Sequence, residues 1–229
     1  MALGTTKSEL RTYLRGLLRK ISPEQRKRES FDVCSQLLQM KEYKSAKAVG
    51  AFLSIPGQEI DTEPFLIQCF KDQKKIYLPK CLADGDMIFL ETYGMDDVNK
   101  NFQFNKQFKK LKEPPFDFED VTRQKIKRKS ALDCLDLDLM VIPGLGFTTT
   151  GLRIGYGVGH YDRFFQKYKQ KLTEIDEKES PTRETSKITF PFLVGIGLSC
   201  QIVEHVPTEK HDHRLGCIIS PKLTNGEEK

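Results

Sequence analysis

The chain has 229 residues, which fits one generous domain and strains to fit two. Hydrophobic residues make up 38% and charged residues 30%, and no apolar run approaches the roughly 20 residues that cross a bilayer. Because the apolar residues come in periodic blocks, wholesale disorder is excluded as well. The formal charge of +5 favours anionic partners (nucleotides, nucleic acid or polycarboxylates) without choosing among them.

Residues 1–20 lack the apolar core and cleavage site of a secretory signal. Their basic, amphipathic character is compatible with a mitochondrial address, against which Glu9 counts. Six cysteines, Cys34, Cys69, Cys81, Cys134, Cys200 and Cys217, stand singly with no Cys-x-x-Cys pair. That is the usage of free thiols in a reducing compartment, so a cytoplasmic protein is expected.

In chain order, Leu10, Leu14, Leu17 and Ile21 recur at helical spacing. Lys7, Arg11, Arg15 and Arg19 form a basic stripe on the same helix. Like charges at that spacing repel, so the stripe is tolerable when solvated and useful when an anion neutralises it. Ser22 caps a second helix, with Pro23 at its first position and Gln25 completing a capping box. Phe31, Cys34, Leu37 and Leu38 give its apolar face. Residues 49–54 read as a buried strand before the Pro56-Gly57 turn. Asp61 and Thr62 open a helix carrying Phe65, Leu66, Cys69 and Phe70.

Residues 76–79 and 87–93 read as strands around an Asp84-Gly85 turn, and residues 137–143 as another buried strand. Tyr161, Phe164, Phe165, Tyr168 and Leu172 then recur at helical spacing. Residues 192–198 and 217–220 supply the last strands. Strands alternating with helices predict an α/β fold: a three-layer α/β/α sandwich with a mostly parallel central sheet, as one catalytic domain over 1–229. Two polar stretches, 99–129 and 169–187, are expected to be surface insertions.

The chemistry concentrates after the strand at 137–143. Pro143-Gly144-Leu145-Gly146-Phe147 is followed by Gly151-Leu152-Arg153-Ile154-Gly155-Tyr156-Gly157-Val158-Gly159-His160-Tyr161-Asp162. Glycines at 155, 157 and 159 let backbone amides converge on an anion at a helix start. The spacing is neither the dinucleotide fingerprint nor a P-loop. Arg153 adds a fixed charge suited to phosphate, and Asp162 a hard oxygen suited to magnesium. The plain alternative is a flexible loop with a helix-capping Asp162.

These residues resemble the 5-formyltetrahydrofolate cyclo-ligase family, also called methenyltetrahydrofolate synthetase. The resemblance extends in order through Lys7-x-x-x-Arg11, Phe52-Leu53-Ser54 with Glu59 to Thr62, Glu113-Pro114, and Val206-Pro207 with His211-Asp212. It implies an architecture like that of sugar-phosphate isomerases and CoA transferases. It also implies ATP- and Mg2+-dependent closure of 5-formyltetrahydrofolate to 5,10-methenyltetrahydrofolate, with ATP as co-substrate. By that resemblance Lys7, Arg11 and the loop Arg153, Ile154, Gly155, Tyr156, Gly157, Val158, Gly159, His160 and Tyr161 would contact ATP. Leu53 and Glu59, with Tyr156 to His160, would line the folate site, and Asp162 with Asp212 would hold magnesium. Arg153 and Tyr161 are the residues expected to serve the chemistry.

The sequence departs from the family pattern in three places. His160 stands where an aromatic residue is usual, Val158 leaves the loop without a lysine, and Gly216 stands where another acidic residue is expected.

The expected partners are small molecules, 5-formyltetrahydrofolate with or without a polyglutamate tail and ATP, acting on a monomer away from membranes. Two alternatives remain at this point. An ATP-independent sugar-phosphate isomerase or CoA-transferase-like enzyme would share the fold, since fold does not fix function. Lys106, Lys109, Lys110, Lys112, Arg123, Lys125, Lys127, Arg128 and Lys129, interleaved with phenylalanines 102, 104, 108, 116 and 118, superficially resemble a nucleic-acid surface. A solvated basic insertion is the simpler reading of that stretch. Cys200, His205, His211 and His213 match no familiar zinc spacing.

Overall fold

The computed structural model describes residues 6–106, 109–120, 122–178, 189–209 and 212–222. Its centre is a six-stranded sheet. In chain order the strands are β1 (Ala48–Gly50), β2 (Lys75–Cys81), β3 (Met87–Thr92), β4 (Leu139–Ile142), β5 (Phe192–Ile196) and β6 (Cys217–Ile219). The spatial order is β6-β5-β4-β1-β2-β3, with every pairing parallel except the β2–β3 hairpin at one edge.

The helices are α1 (Lys7–Leu18), α2 (Pro23–Gln39), α3 (Lys41–Ser45), α4 (Glu63–Lys71), α5 (Met95–Asn101), α6 (Ala131–Cys134) and α7 (His160–Lys178). They cover both faces of the sheet, the arrangement that parallel strands require to bury both sides. Val49, Ile76, Leu78, Leu139, Val141, Val194 and Ile196 join α1, α2 and α4 in one core. Tyr77, Met140, Ile142 and Leu193 join α6 and α7 in the other. The three-layer sandwich is therefore written in the alternation of side chains along each strand. Among the described residues, no helix is long and apolar enough to cross a membrane.

α1 begins on Thr6 with a complete capping box: the hydroxyl accepts from Glu9 N, and the Glu9 carboxylate accepts from Thr6 N at 2.8 Å. Leu10, Leu14 and Leu18 bury its apolar side, which leaves the basic stripe facing the glycine loop and solvent. Ser22 caps α2 by accepting from Gln25 N at 3.1 Å. The expected return bond from Gln25 is absent, because its side chain donates instead to Glu29 at 2.8 Å. Phe31 does not belong to the apolar face of α2: it is 70% exposed, while Val33, Cys34 and Leu37 are buried.

Three further boundaries differ from the sequence reading. β1 stops at Gly50, and residues 52–54 bend away because Thr62 Oγ1 donates to Phe52 O at 2.7 Å and ties the loop to the start of α4. The charged run that begins at Lys169 is helical at its start. It extends α7 to Lys178, with Leu172 and Ile175 continuing the stripe that packs on the core. The remainder of that stretch, 179–187, lies outside the described residues.

Among the described residues of 99–129, two small antiparallel hairpins pair Gln103–Phe104 with Lys112–Glu113 and Asp117–Glu119 with Lys125–Lys127. Arg128, Phe102 and Phe118, placed on the candidate nucleic-acid surface by the sequence pattern, turn inward instead. Arg128 is buried, and its guanidinium lies 5.4 Å from the Phe102 ring and 4.3 Å from the Phe118 ring. Phe108 lies outside the described residues.

Candidate active site: a glycine loop between two cavities

The buried run of β4 ends at Pro143, and the chain makes a short antiparallel pair, Gly146–Phe147 with Arg153–Ile154, before entering the glycine loop. Ile154 is buried with its side chain in the core, so only its backbone is offered to a ligand. Gly157 and Gly159 have φ of 107° and 75°, conformations that a Cβ disfavours. The loop delivers the chain to the N-terminus of α7, where backbone N–H groups favour an anion.

α1 lies against this loop. Arg11 Nε donates to Gly155 O at 2.9 Å, and Arg15 reaches Tyr156 O at 3.4 Å. Lys7, Arg11, Pro143, the loop from Arg153 to Asp162, Glu209 and Asp212 together line a cavity of about 370 Å³. Two cation–carboxylate pairs sit in its wall. Lys7 Nζ lies 2.9 Å from Asp212 Oδ2 and 3.1 Å from Glu209 Oε1, and Arg153 Nη2 lies 3.1 Å from Asp162 Oδ2. Arg153 also donates to Pro143 O at 3.3 Å and lies over the Tyr161 ring at 5.3 Å.

Tyr161 meets Phe89 edge-on, with 6.1 Å between ring centroids. Burial holds its hydroxyl protonated well above the usual phenol range, so its clearest physical function is as a platform beneath Arg153.

The donor set suits a nucleotide-borne divalent ion. Magnesium carried on phosphates keeps several waters and needs only one or two carboxylates. Asp162 and Asp212 face the same cavity, and among the described residues no group of three or more His, Cys, Asp or Glu makes a self-sufficient cage. His213, weighed above for zinc, packs on Phe165 at 5.2 Å with Nδ1 3.7 Å from Asp162; His211 lies outside the described residues. A wider cleft of about 950 Å³ continues past Asp162 and Asp212 along α7, lined also by Phe190, Phe192 and Arg214.

A second cavity, of about 740 Å³, opens beyond the β1–α4 loop. Leu53, Ile55 and Glu59 line its inner side, Met95, Val98 and Phe104 its outer side, and Lys27, Lys110 and Lys112 also border it. Glu59 joins the two cavities. It accepts from Ile55 N at 2.8 Å and from the Tyr156 hydroxyl at 3.4 Å, so a carboxyl of the second cavity touches the glycine loop. Burial pushes its pKa up to about 7, against the opposing pull of the Ile55 amide, Tyr156 and Arg26. The neutral Tyr156 hydroxyl is reinforced in turn by burial and by the Glu59 charge.

His160, also in the basic cavity, is held below its ordinary pKa by burial and by Arg163, and its Nδ1 is 3.9 Å from Cys81 Sγ.

The structure thus gathers Lys7, Arg11, the loop from Arg153 to Tyr161, Asp162 and Asp212 around one cavity, and puts Leu53 and Glu59 in the next. The sequence reading missed Arg26, whose buried guanidinium donates to Glu59 O at 3.3 Å and to Leu18 O at 3.0 Å, fixing the Glu59 backbone. Nothing in the local pattern of α2 marks it. It also missed Arg163, which donates to Val158 O at 2.8 Å and to Gly85 O, bracing the loop from behind.

Comparison with known proteins places the chain in a family. The chain is 27% identical to the 5-formyltetrahydrofolate cyclo-ligase of Escherichia coli over 89% of its length and 93% of that protein. It is 25% identical to the cyclo-ligase of Saccharomyces cerevisiae, covering 93% and 94% of the two chains. The solved structure of Aquifex aeolicus 5,10-methenyltetrahydrofolate synthetase superposes with a TM-score of 0.65 at 22% identity, covering 98% of this chain and 96% of that one. The Mycoplasma pneumoniae synthetase superposes at 0.60 with 16% identity, over 95% and 100%. The family model described as the 5-formyltetrahydrofolate cyclo-ligase family matches residues 4–221, and the chain belongs to that family.

Proposed function

We propose that this chain catalyses ATP- and magnesium-dependent conversion of 5-formyltetrahydrofolate to 5,10-methenyltetrahydrofolate, with release of ADP and phosphate, as a single catalytic domain. The observation that carries this reading is the Tyr156–Glu59 bond, because it joins a cationic glycine loop to the wall of a larger cavity with an apolar side. Two ligands bound on either side of that bond would meet at it.

An amide-like formyl oxygen is a poor leaving group, and phosphorylation corrects this. The formyl oxygen attacks the γ-phosphorus and ADP departs. N10 then attacks the activated carbon and loses its proton, and the former formyl oxygen leaves as phosphate while the ring closes. The protein positions the reactants and neutralises charge. Lys7, Arg11, Arg153 and the loop amides bind the phosphates, and Tyr161 steadies Arg153. Asp162 and Asp212 would hold magnesium, which when bound screens the charge on the phosphate oxygens.

Leu53 and Glu59 receive the folate together with the loop from Tyr156 to His160. A polyglutamate tail would meet Lys27, Lys110 and Lys112, a charge match that supports polyglutamylated substrates. Six free cysteines support a reducing cytoplasmic setting, and we take the enzyme to act there as a monomer without nucleic acid. Family membership leaves the sugar-phosphate isomerase and CoA-transferase alternatives without support.

The test is growth of the methenyl product's near-ultraviolet band on mixing protein, 5-formyltetrahydrofolate and magnesium. The reading requires that growth to depend on ATP.

A further inference from the structure

The segment 95–128 contributes the outer wall of the larger cavity through Met95, Val98 and Asn99 of α5 and through Phe104, Lys110 and Lys112 of the first hairpin. Neither α5, of 7 residues, nor a two-residue strand pair holds its place unaided. Besides the packing of Met95, Val98 and Phe102 on the core, one buried side chain ties them together. The Arg128 guanidinium, with 0% side-chain exposure, grips Asp97 of α5 with both ends of its fork, at 2.7 and 2.6 Å, and donates to Glu91 O of β3 at 2.9 Å. It lies 4.3 Å from the ring of Phe118 in the second hairpin and 5.4 Å from that of Phe102, which leads into the first. Its own backbone N–H donates to Phe116 O.

Asp97 is itself held by Tyr93 N at 3.0 Å and by Asn101 Nδ2 at 2.8 Å, so the pair has both the geometry and the surrounding hydrogen bonds of a registry device. β3, α5, the second hairpin and Phe102 at the entry to the first therefore converge on this one group. The first hairpin has a second anchor, Glu113, which accepts from Cys81 N at 3.0 Å and from Asn105 Nδ2 at 2.8 Å and so fixes only the end next to β2.

We propose that Arg128 is the positioning residue of the folate cavity: by clamping Asp97 of α5 to β3 and the second hairpin it sets how far the Met95–Val98–Phe104 wall stands from Leu53 and Glu59, and thereby sets folate affinity without touching the nucleotide site. This rests on the reaction proposed above. A wall displaced by about 1 Å is enough to cost on the order of tenfold or more in productive binding.

The experiment measures KM for 5-formyltetrahydrofolate, KM for ATP and kcat in wild type, Arg128→Lys and the double variant Asp97→Leu/Arg128→Met. Lysine keeps the charge but cannot make the fork. The double variant removes the pair together, leaves no orphaned charge, and keeps the test alive if the single variant folds poorly. The expected result is a folate KM raised about tenfold in both variants, with ATP KM and kcat at saturating folate within about twofold of wild type. A lowered melting temperature with folate KM unchanged in the folded enzyme would make Arg128 merely structural and overturn the proposal. Wild type that forms no methenyl product would instead overturn the reaction, and this role with it.

Discussion

Lys7 Nζ donates to Asp212 Oδ2 at 2.9 Å across 205 positions of sequence, closing the N-terminal helix onto the C-terminal segment at the edge of the basic cavity. Both side chains are slightly under one-fifth exposed. The neighbouring Arg153–Asp162 pair has the same character. Each cation suits a phosphate and each carboxylate suits magnesium, so a nucleotide–metal complex would exchange the partners of both pairs. Removing a cation from such a pair should therefore harm binding more than folding.

For Lys7→Ala we expect ATP affinity to fall by about tenfold or more, since the lysine is asked to supply one charge-assisted phosphate contact. A partly exposed pair contributes about 1 kcal/mol to stability, which for a chain of this size lowers Tm by about 2–4 °C. Calorimetric titration with ATP and magnesium, alongside a melting curve, checks both. A large loss of Tm with unaltered ATP affinity would make the lysine a structural staple.

Arg153→Lys keeps the charge and loses the planar fork that spans Pro143 O, Asp162 and the Tyr161 ring. The expected outcome is a fall in kcat of about 100-fold, comparable to losing one preorganised donor to a developing charge. Steady-state turnover of the variant decides this, and near-wild-type kcat would remove Arg153 from the chemistry.

Gly157 has φ of 107°, and a Cβ added there would meet nothing closer than Arg11 at 3.5 Å. Gly157→Ala thus meets no clash but must hold a left-handed backbone, at roughly 1–2 kcal/mol. The loop should relax to another conformer, weakening ATP binding by about tenfold with little change in Tm. Unchanged ATP affinity would mean that the left-handed turn at this position is not needed for binding.

Glu59 has an ordinary value of 4.5 and is raised to about 7 by burial. Between those values the folded chain holds a proton that the unfolded chain has lost. The stability linked to this group is therefore fully present below 4.5, is lost as pH rises to about 7, and is flat above. Glu59→Gln keeps the shape and removes the titration. Between pH 5 and 8, denaturant unfolding should show wild type losing roughly 2–3 kcal/mol more than the variant. Parallel pH profiles for the two proteins would contradict the buried, protonated assignment.

Much of the scaffold was legible before any coordinates. The Leu10–Leu14 stripe, the Ser22-Pro23 start of α2, the β2–β3 hairpin at Asp84-Gly85, and the aromatic stripe of α7 all follow from local spacing and caps, which tertiary packing did not override. Phe31 was misread because a helical period places a residue on a face but does not say how wide the buried face is. The charges after Lys169 masked how far the helix runs: Leu172, already on the aromatic stripe, and Ile175 beyond it keep it on the core.

At the site, the glycine loop and its place at a helix start were legible from composition and spacing alone. Lys7 was visible as one end of a basic stripe, whereas Asp212 and Leu53 entered only through family resemblance, since nothing local distinguishes them from a solvated charge or a core leucine. Arg26 went unread, and Arg128 was read only as part of a basic surface. Each is a cation in a polar stretch whose burial depends on partners more than 30 positions away in sequence, Glu59 and Asp97.

The central claim is that the basic loop and the larger cavity serve one ATP-driven ring closure. The most direct measurement mixes wild type, Arg153→Ala and Asp162→Ala with 5-formyltetrahydrofolate and magnesium, with and without ATP, and follows the methenyl band. The account predicts ATP-dependent growth of the band in wild type and its loss in both variants. A folded wild-type protein that binds ATP and forms no methenyl product would contradict it.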